Sequence, residues 1–213
     1  NKSLNFFAED IYLLIYFAFL LITFFIFFNF DYNFSSVIFS LTSSMSNIGI
    51  SLTNSPKNLW FLYFLITIIG GSFFSTSSGI RFLKIYFLLR YSLNEILSYS
   101  RPNNVYTNKF LLIDSSIEQS DINKYFLSVL IFIISLFVIT SLLSIFNINF
   151  EESFKLGILT LMNTVNSSMH GLSNFDFLNL NSSSKITIIV FMIIGRVELL
   201  TILIFIKKFI FKS

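Results

Sequence analysis

The sequence has 213 residues, of which 54% are hydrophobic and only 12% are charged, and its formal net charge is +3. A soluble domain carries about one quarter charged residues, so this composition excludes an ordinary soluble protein and indicates a membrane protein. The absence of cysteine excludes disulfides and thiolate metal sites, and the single histidine, His170, argues against a histidine-based metal site.

Apolar segments predict four membrane crossings. Residues 11–30 contain no charged residue and would form a helix of about 30 Å, which is the thickness of the hydrocarbon core of a bilayer. Residues 59–69 are too short to cross alone. Together with the stretch GGSFFSTSSG and the helical segment 80–90 they predict one interrupted crossing. Two further spans are predicted at 125–147 and 186–206.

Two shorter segments lie between these spans and predict half-helices. Residues 34–45 and 153–165 are amphipathic and about three turns long, which suits a helix that enters the membrane and turns back better than one that crosses it. Each half-helix is followed by a polar stretch, SNIGISLTNSP in the first case and NSSMHGLSN in the second.

The order of these segments repeats along the chain. A span, a half-helix, a polar turn and a second span occur twice, and an offset of 125 residues places Gly70 opposite Gly195. An offset of 120 residues places Gly49 opposite Met169. The sequence therefore predicts an all-α membrane protein with two tandem repeats of span, re-entrant helix and span. The second span of the first repeat is broken by a Gly/Ser loop.

The distribution of lysine and arginine predicts the orientation in the membrane. Basic residues are concentrated between the two repeats and at the C-terminus, whereas few follow the half-helices. Because cytoplasmic segments carry an excess of Lys and Arg, we expect a cytoplasmic linker and C-terminus, with both half-helices entering from outside. The predicted units are a repeat at 1–90, a cytosolic linker at 91–124 and a repeat at 125–213.

The half-helices and their turns predict a cation site. Half-helices that enter from outside point their C-terminal ends, which carry partial negative charge, toward the membrane centre. Helix C-termini and exposed carbonyls suit a dehydrated monovalent cation. In SNIGIS, Gly49 can adopt a positive φ and aim successive carbonyls at one axis, although an ordinary loop glycine is the alternative. The first candidate filter segment is Asn47, Ile48, Gly49 and Ile50.

Two charged residues, Arg196 and Glu198, lie in the middle of the last predicted span. A charge at this depth costs about 2.5–3.5 kcal/mol on insertion scales, so it is expected to face the bundle interior. Two residues apart on a helix, the pair lies on different faces and makes a poor ion pair. Two roles for these charges remain open. They could form structural ion pairs with other residues, or Arg196 could place a positive charge beside a cation path.

These features resemble the Trk/Ktr potassium-transporter family, whose subunits contain four linked copies of a potassium-channel pore unit. The chain is similar to the last two copies over nearly all its length, through GGSFFSTSSGIR in one second span and GRVELLTIL in the next. In this family an intramembrane loop below the selectivity filter of the third copy is thought to gate the pore. The resemblance assigns that gate loop to Gly70, Gly71, Ser75, Thr76 and Gly79.

The second filter segment departs from the family pattern. The fourth copy usually reads Asn-Asn-hydrophobic-Gly-Pro-Gly-Leu, where this chain has NSSMHGL. A gapless match places Met169 at the filter glycine, where its Cβ would penalise a left-handed backbone by about 1–2 kcal/mol. Gly171 substitutes only if the turn shifts by two residues. The second candidate filter segment is Ser168, Met169, His170 and Gly171.

The resemblance implies the C-terminal half of a potassium-uptake subunit in a bacterial inner membrane. It implies a multi-pass homodimer, an N-terminal half that supplies two more filter segments, and a cytosolic nucleotide-binding regulatory subunit. Transported K⁺ is the only metal expected, with coupling to sodium or protons left open, and no cofactor is expected. Neither an enzyme nor nucleic-acid binding is expected, because no nucleophile–base pair or phosphate loop is present and the basic residues match membrane topology.

Two alternatives remain open at this stage. A different polytopic secondary transporter with broken helices would need helix N-termini near the membrane centre to hold a substrate carboxylate. The other alternative is a non-conducting fragment or the product of a split or decaying gene. The half length, the first residue Asn1 and the Met169 substitution all favour it.

Overall fold

The computed structural model describes residues 4–27, 34–50, 59–70, 80, 82–100, 119–164, 168–172 and 175–196. This part of the chain contains seven α-helices and no β-strand, which confirms the all-α prediction for these residues. In chain order the helices are α1 (Leu4–Phe27), α2 (Phe34–Met45), α3 (Trp60–Ile68), α4 (Phe82–Ser100), α5 (Gln119–Ile145), α6 (Phe150–Met162) and α7 (Ser182–Arg196).

The helix bounds agree with the sequence predictions where hydrophobicity changes abruptly. α2 has the bounds predicted for the first half-helix, and α6 begins and ends three residues before the prediction. Within the described residues, the segment Ile122–Ile145 of α5 is the one stretch long and apolar enough to cross a membrane by the criteria of length and composition. Helix α4 continues to Ser100 and α5 begins at Gln119, so both helices extend into the range 91–124 that was predicted as the linker.

Three hydroxyl side chains of α2, those of Ser40, Thr42 and Ser44, donate hydrogen bonds to carbonyls of the same helix. Ser40 donates from Oγ to the carbonyl of Ser36, and Ser44 donates to the carbonyl of Ser40, each at 2.8 Å. Such bonds to the preceding turn let hydroxyl groups lie on a buried helix surface without other polar partners. This explains how a serine-rich half-helix can be buried.

Helix α6 has favourable residues at both ends. Glu151 and Glu152 lie in its first turn, where negative charge complements the helix dipole. Asn163 ends the helix in the left-handed conformation, with a φ of 53°, and its N–H bonds back to the carbonyls of Leu159 and Thr160. Asparagine tolerates this conformation better than other residues with a side chain, so the helix ends here.

Two apolar clusters form the core, and α3 contributes to both. Tyr63 and Ile66 of α3 belong to a cluster with residues of α1 and α2, whereas Phe64 belongs to a cluster built mainly from α5 and α6. Residues 63 and 66 share one helix face, while residue 64 lies about 100° away. Helix α3 therefore joins the first half of the chain to the second.

Aromatic contacts attach α4 to its neighbours. The rings of Tyr12 and Tyr86 lie 4.9 Å apart, as do those of Tyr16 and Phe82, so α1 packs on α4. On another side of α4, Phe87 stacks on Tyr125 of α5 at 6.1 Å. These contacts hold the helix that follows the Gly/Ser segment against helices from both halves.

Candidate functional site

The first predicted filter segment forms a compact turn directly after α2. The N–H groups of Ile48 and Gly49 approach the carbonyl of Ser43 at 3.1 and 3.5 Å. Asn47 and Gly49 both have positive φ, 56° and 78°, and both are buried, while Ile48 and Ile50 are exposed. Burial and exposure alternate from Asn47 to Ile50, and Gly49 has the positive φ that the sequence analysis considered for it.

The second predicted filter segment differs from the expectation at Met169. Residues Ser168–His170 form a short 3₁₀ turn, and the positive φ of 70° occurs at Gly171. Met169 is absent from the described residues that have positive φ, so the backbone penalty expected at Met169 does not arise. The geometry matches the shifted turn that uses Gly171, because only glycine adopts this conformation without a Cβ clash.

The side chain of Met169 is fully buried in the core of the first half. It packs in the cluster that contains Val37 and Leu41 of α2 and Tyr63 of α3. Its sulfur lies 3.8 Å from the hydroxyl oxygen of Ser44. Methionine is flexible and fills irregular gaps in a core, so Met169 has a packing role. The match of Met169 to the filter glycine of the family pattern could not reveal this role.

His170 is buried beside Met169 but contacts the opposite face of α3. Its ring lies 5.2 Å from that of Phe64, which in turn meets Trp60 edge-on at 5.9 Å. Among the described residues, no group of three or more His, Asp or Glu side chains is arranged to hold a metal ion. Met169 and His170 thus attach the second turn to two faces of α3.

A buried ammonium group lies next to this turn. Lys155 Nζ is 2.6 Å from Glu151 Oε1 and 4.4 Å from the centre of the Trp60 ring. A Cβ built on Gly171 would lie 3.4 Å from the same nitrogen. The Lys155 cluster, defined here as Lys155, Glu151 and Trp60, therefore connects the first turns of α6, the start of α3 and the second filter turn. A lysine inside an amphipathic segment carries no local sequence signal that would predict this burial.

The Lys155 cluster predicts different effects from its two charged members. The Lys155 side chain is 8% exposed and that of Glu151 is 72% exposed. Glu151→Gln leaves a buried ammonium without its carboxylate and is expected to destabilise the chain by about 1 kcal/mol. Lys155→Met leaves only a solvated carboxylate and is expected to cost less, since apolar replacements of buried charges are often neutral. Thermal unfolding in detergent, followed by circular dichroism, compares the two, and a larger loss for Lys155→Met would contradict the expectation.

Of the predicted gate loop, the structure describes Gly70. This residue is buried, two positions after the end of α3. The other four predicted gate residues lie outside the described part of the chain: Gly71, Ser75, Thr76 and Gly79.

The intramembrane charges also fall at the edge of the described region. Arg196 is the last residue of α7 and is exposed on this chain, and Glu198 lies outside the described residues. The neighbouring Gly195 is buried against α6. Successive helix residues are about 100° apart, so a helix that turns Gly195 inward turns Arg196 away from this chain.

Two further residues emerge from the structure alone. Asn163 donates from Nδ2 to the carbonyl of Met192 in α7 at 2.9 Å, and Ser44 contacts Met169 across the two halves. An asparagine directly after an amphipathic helix is a known helix-end signal and could have marked Asn163. No local pattern distinguishes Ser44 from its neighbouring serines.

Comparison with known proteins identifies a matching family and a similar solved structure. Residues 50–212 match the family model described as TrkH, cation transport protein. The fold is similar to the crystal structure of the potassium transporter TrkH from Vibrio parahaemolyticus, with a TM-score of 0.73 and 23% sequence identity. That match covers 94% of this chain and 42% of the other, so the chain spans less than half the length of that transporter. A search of curated proteins found no match.

Proposed function

The chain belongs to the TrkH family of cation transport proteins, and on that premise we propose that it forms the C-terminal half of a potassium-uptake pore in a bacterial inner membrane. The observation that carries this proposal is a glycine with positive φ in the turn after each short helix, Gly49 after α2 and Gly171 after α6. Two turns of this kind supply backbone carbonyls for a dehydrated K⁺.

The lengths of α2 and α6 support their assignment as re-entrant pore helices. They have 12 and 13 residues and measure about 18 and 20 Å, which is too short for a hydrocarbon core of about 30 Å. In the proposed arrangement α1 and α5 are first spans, and each short helix enters from outside. Its C-terminal end then points toward the ion path, where partial negative charge stabilises a cation.

The proposed filter uses residues 47–50 in the first turn and 168–171 in the second, with Gly171 as the counterpart of Gly49. Gly70 and the residues after it form the proposed gate between α3 and α4. Arg196, which is exposed on this chain, is available to face the ion path or the missing half of the pore. This exposure argues against a structural ion pair between Arg196 and another residue in the described part of the chain.

The remaining parts of the proposal come from the family resemblance. A four-copy pore needs four filter segments, so the chain conducts together with an N-terminal half, in a homodimer regulated by a cytosolic nucleotide-binding subunit. The linker and C-terminus are cytoplasmic. A secondary transporter of another class is disfavoured, because an anionic substrate group would need helix N-termini where this arrangement offers C-termini.

The experiment measures K⁺ uptake in a host that lacks its own potassium transporters. The chain is co-expressed with the N-terminal half of a TrkH-family subunit, and membrane insertion and assembly are checked by native gel. We expect growth at low K⁺ with the wild-type chain. Gly171→Ala should lower uptake by about tenfold, because a Cβ at positive φ costs about 1–2 kcal/mol and redirects the carbonyls.

The matched control is Gly157→Ala, the same substitution at a glycine inside α6 and outside the filter turns, which should leave uptake within about twofold. Equal uptake by Gly171→Ala and wild type would contradict the assignment of Gly171 to the filter. A correctly inserted and assembled wild-type chain that supports no uptake would contradict conduction. It would favour the alternative of a non-conducting fragment.

A further inference from the structure

A close backbone contact links the Gly/Ser segment to the first filter turn. Gly70 is buried, and a Cβ built on it would lie 2.7 Å from the carbonyl oxygen of Met45, the last residue of α2. The same Cβ would lie 3.2 Å from Asn47 Oδ1, in the filter turn itself. Side chains essentially never approach a backbone oxygen so closely, so a larger residue at position 70 requires α2 or the α3 end to move.

The second half of the chain contains the same kind of contact. A Cβ built on Gly195 of α7 would overlap the carbonyl oxygen of Leu161, in the last turn of α6. One turn before Gly195, the carbonyl of Met192 accepts a hydrogen bond from Asn163 Nδ2 at 2.9 Å. Helix α7 is thus held against the end of α6 by a glycine and an asparagine together.

The two contacts share two features. In each half, an asparagine with a left-handed backbone lies two residues after the contacted carbonyl, Asn47 after Met45 and Asn163 after Leu161, with φ of 56° and 53°. In each half the asparagine also lies beside the element that carries the glycine, since Asn47 Oδ1 would lie 3.2 Å from a Cβ on Gly70 and Asn163 bonds to α7. Gly70 and Gly195 are also the pair matched by the repeat in the sequence. Similar contacts in both halves of the chain are expected if they serve the same task in the two repeats.

The contacted carbonyls lie where position matters most for a cation. The last turn of a helix has carbonyls without partners in the helix and carries the negative end of the dipole. We propose that Gly70 and Gly195 are paired positioning residues that, with Asn47 and Asn163, set how far each half-helix end projects toward the ion path. This inference rests on the proposed function, and it assigns to these residues an influence on ion selectivity rather than on folding alone.

The transport test compares three glycine-to-alanine variants in the co-expression system described above. Gly70→Ala and Gly195→Ala are expected to lower the ratio of K⁺ to Na⁺ uptake by at least about threefold. The reason is that moving the helix-end carbonyls around the ion path changes the electric field at the ion. Gly157→Ala is the matched control. A Cβ there would meet side-chain atoms of α5, at 3.1 Å from Ile139 Cγ2, and it would not meet a helix-end carbonyl. The control should keep the wild-type ratio.

The asparagine is tested by separating its two contributions. Asn163→Gly keeps the positive φ and removes the amide bond to α7, whereas Asn163→Ala removes both. We expect a lower K⁺ to Na⁺ ratio for Asn163→Gly and a larger decrease for Asn163→Ala. A wild-type ratio in both glycine variants and in Asn163→Ala, with normal uptake in the wild-type chain, would overturn the positioning role.

A second measurement keeps the inference testable if the wild-type chain transports nothing. Thermal unfolding of the purified chain in detergent should show a larger decrease in midpoint for Gly70→Ala and Gly195→Ala than for Gly157→Ala. Absent wild-type uptake overturns the proposed function and the selectivity role. Equal midpoints for all three variants would overturn the close contacts themselves, whatever the transport result.

Discussion

Replacing Met169 with alanine is expected to destabilise the chain by about 2–5 kcal/mol, because it removes a fully buried side chain and leaves a cavity. Met169 has no exposed surface and fills the space between α2 and α3. The cavity would lie at the contact between the two halves, where the surrounding helices cannot all move to close it. A glycine at position 169 removes the same side chain, so Met169→Gly is expected to destabilise the chain as well.

Chemical unfolding in detergent measures this effect, with the fluorescence of Trp60, the single tryptophan, as the signal. Met169→Leu conserves volume and should cost less than about 1.5 kcal/mol. Ile50→Ala is the surface control, since Ile50 is 52% exposed and its truncation should change stability by no more than about 0.5 kcal/mol. An alanine variant as stable as the wild type would show that Met169 is not packed in the core.

Shortening the Gly/Ser segment between α3 and α4 is expected to raise K⁺ flux by about tenfold, equivalent to removing about 1.4 kcal/mol from the barrier to permeation. If the segment acts as the gate proposed above, its removal takes an obstacle out of the ion path. Removal of residues 72–78 keeps Gly70 and its contact with α2. Flux is measured as rubidium uptake in the co-expression system, at equal membrane expression.

The matched control for this deletion is a variant with the order of residues 72–78 scrambled, which keeps the length and composition of the segment. It should retain flux close to that of the wild type if the segment acts by occupying the path. Unchanged flux after the deletion, in a protein that inserts and assembles normally, would reject the gate. A similar increase in the scrambled variant would instead assign the effect to specific side chains.

Some of the fold could be predicted because it depends on short stretches of neighbouring residues. The membrane class follows from composition, and the bounds of α2 follow from a change between serine-rich apolar residues and polar turns. The order of long and short helices follows from the lengths of apolar segments, since the bilayer thickness sets how many residues cross it. The positive φ at Gly49 was also predictable, because a glycine after a short helix marks a turn.

Other features depend on residues that are distant in the sequence and could not be predicted from it. The register of the second turn is set by the burial of Met169 and His170 on two faces of α3, which moves the positive φ to Gly171. The sequence marks Gly70 and Gly195 as a pair, but only the packing of helix ends against helices identifies the carbonyls that they approach. The sequence thus determined the elements and their order through local hydrophobicity, whereas the tertiary structure decided the turn register and the close contacts, because both arise where separate helices meet.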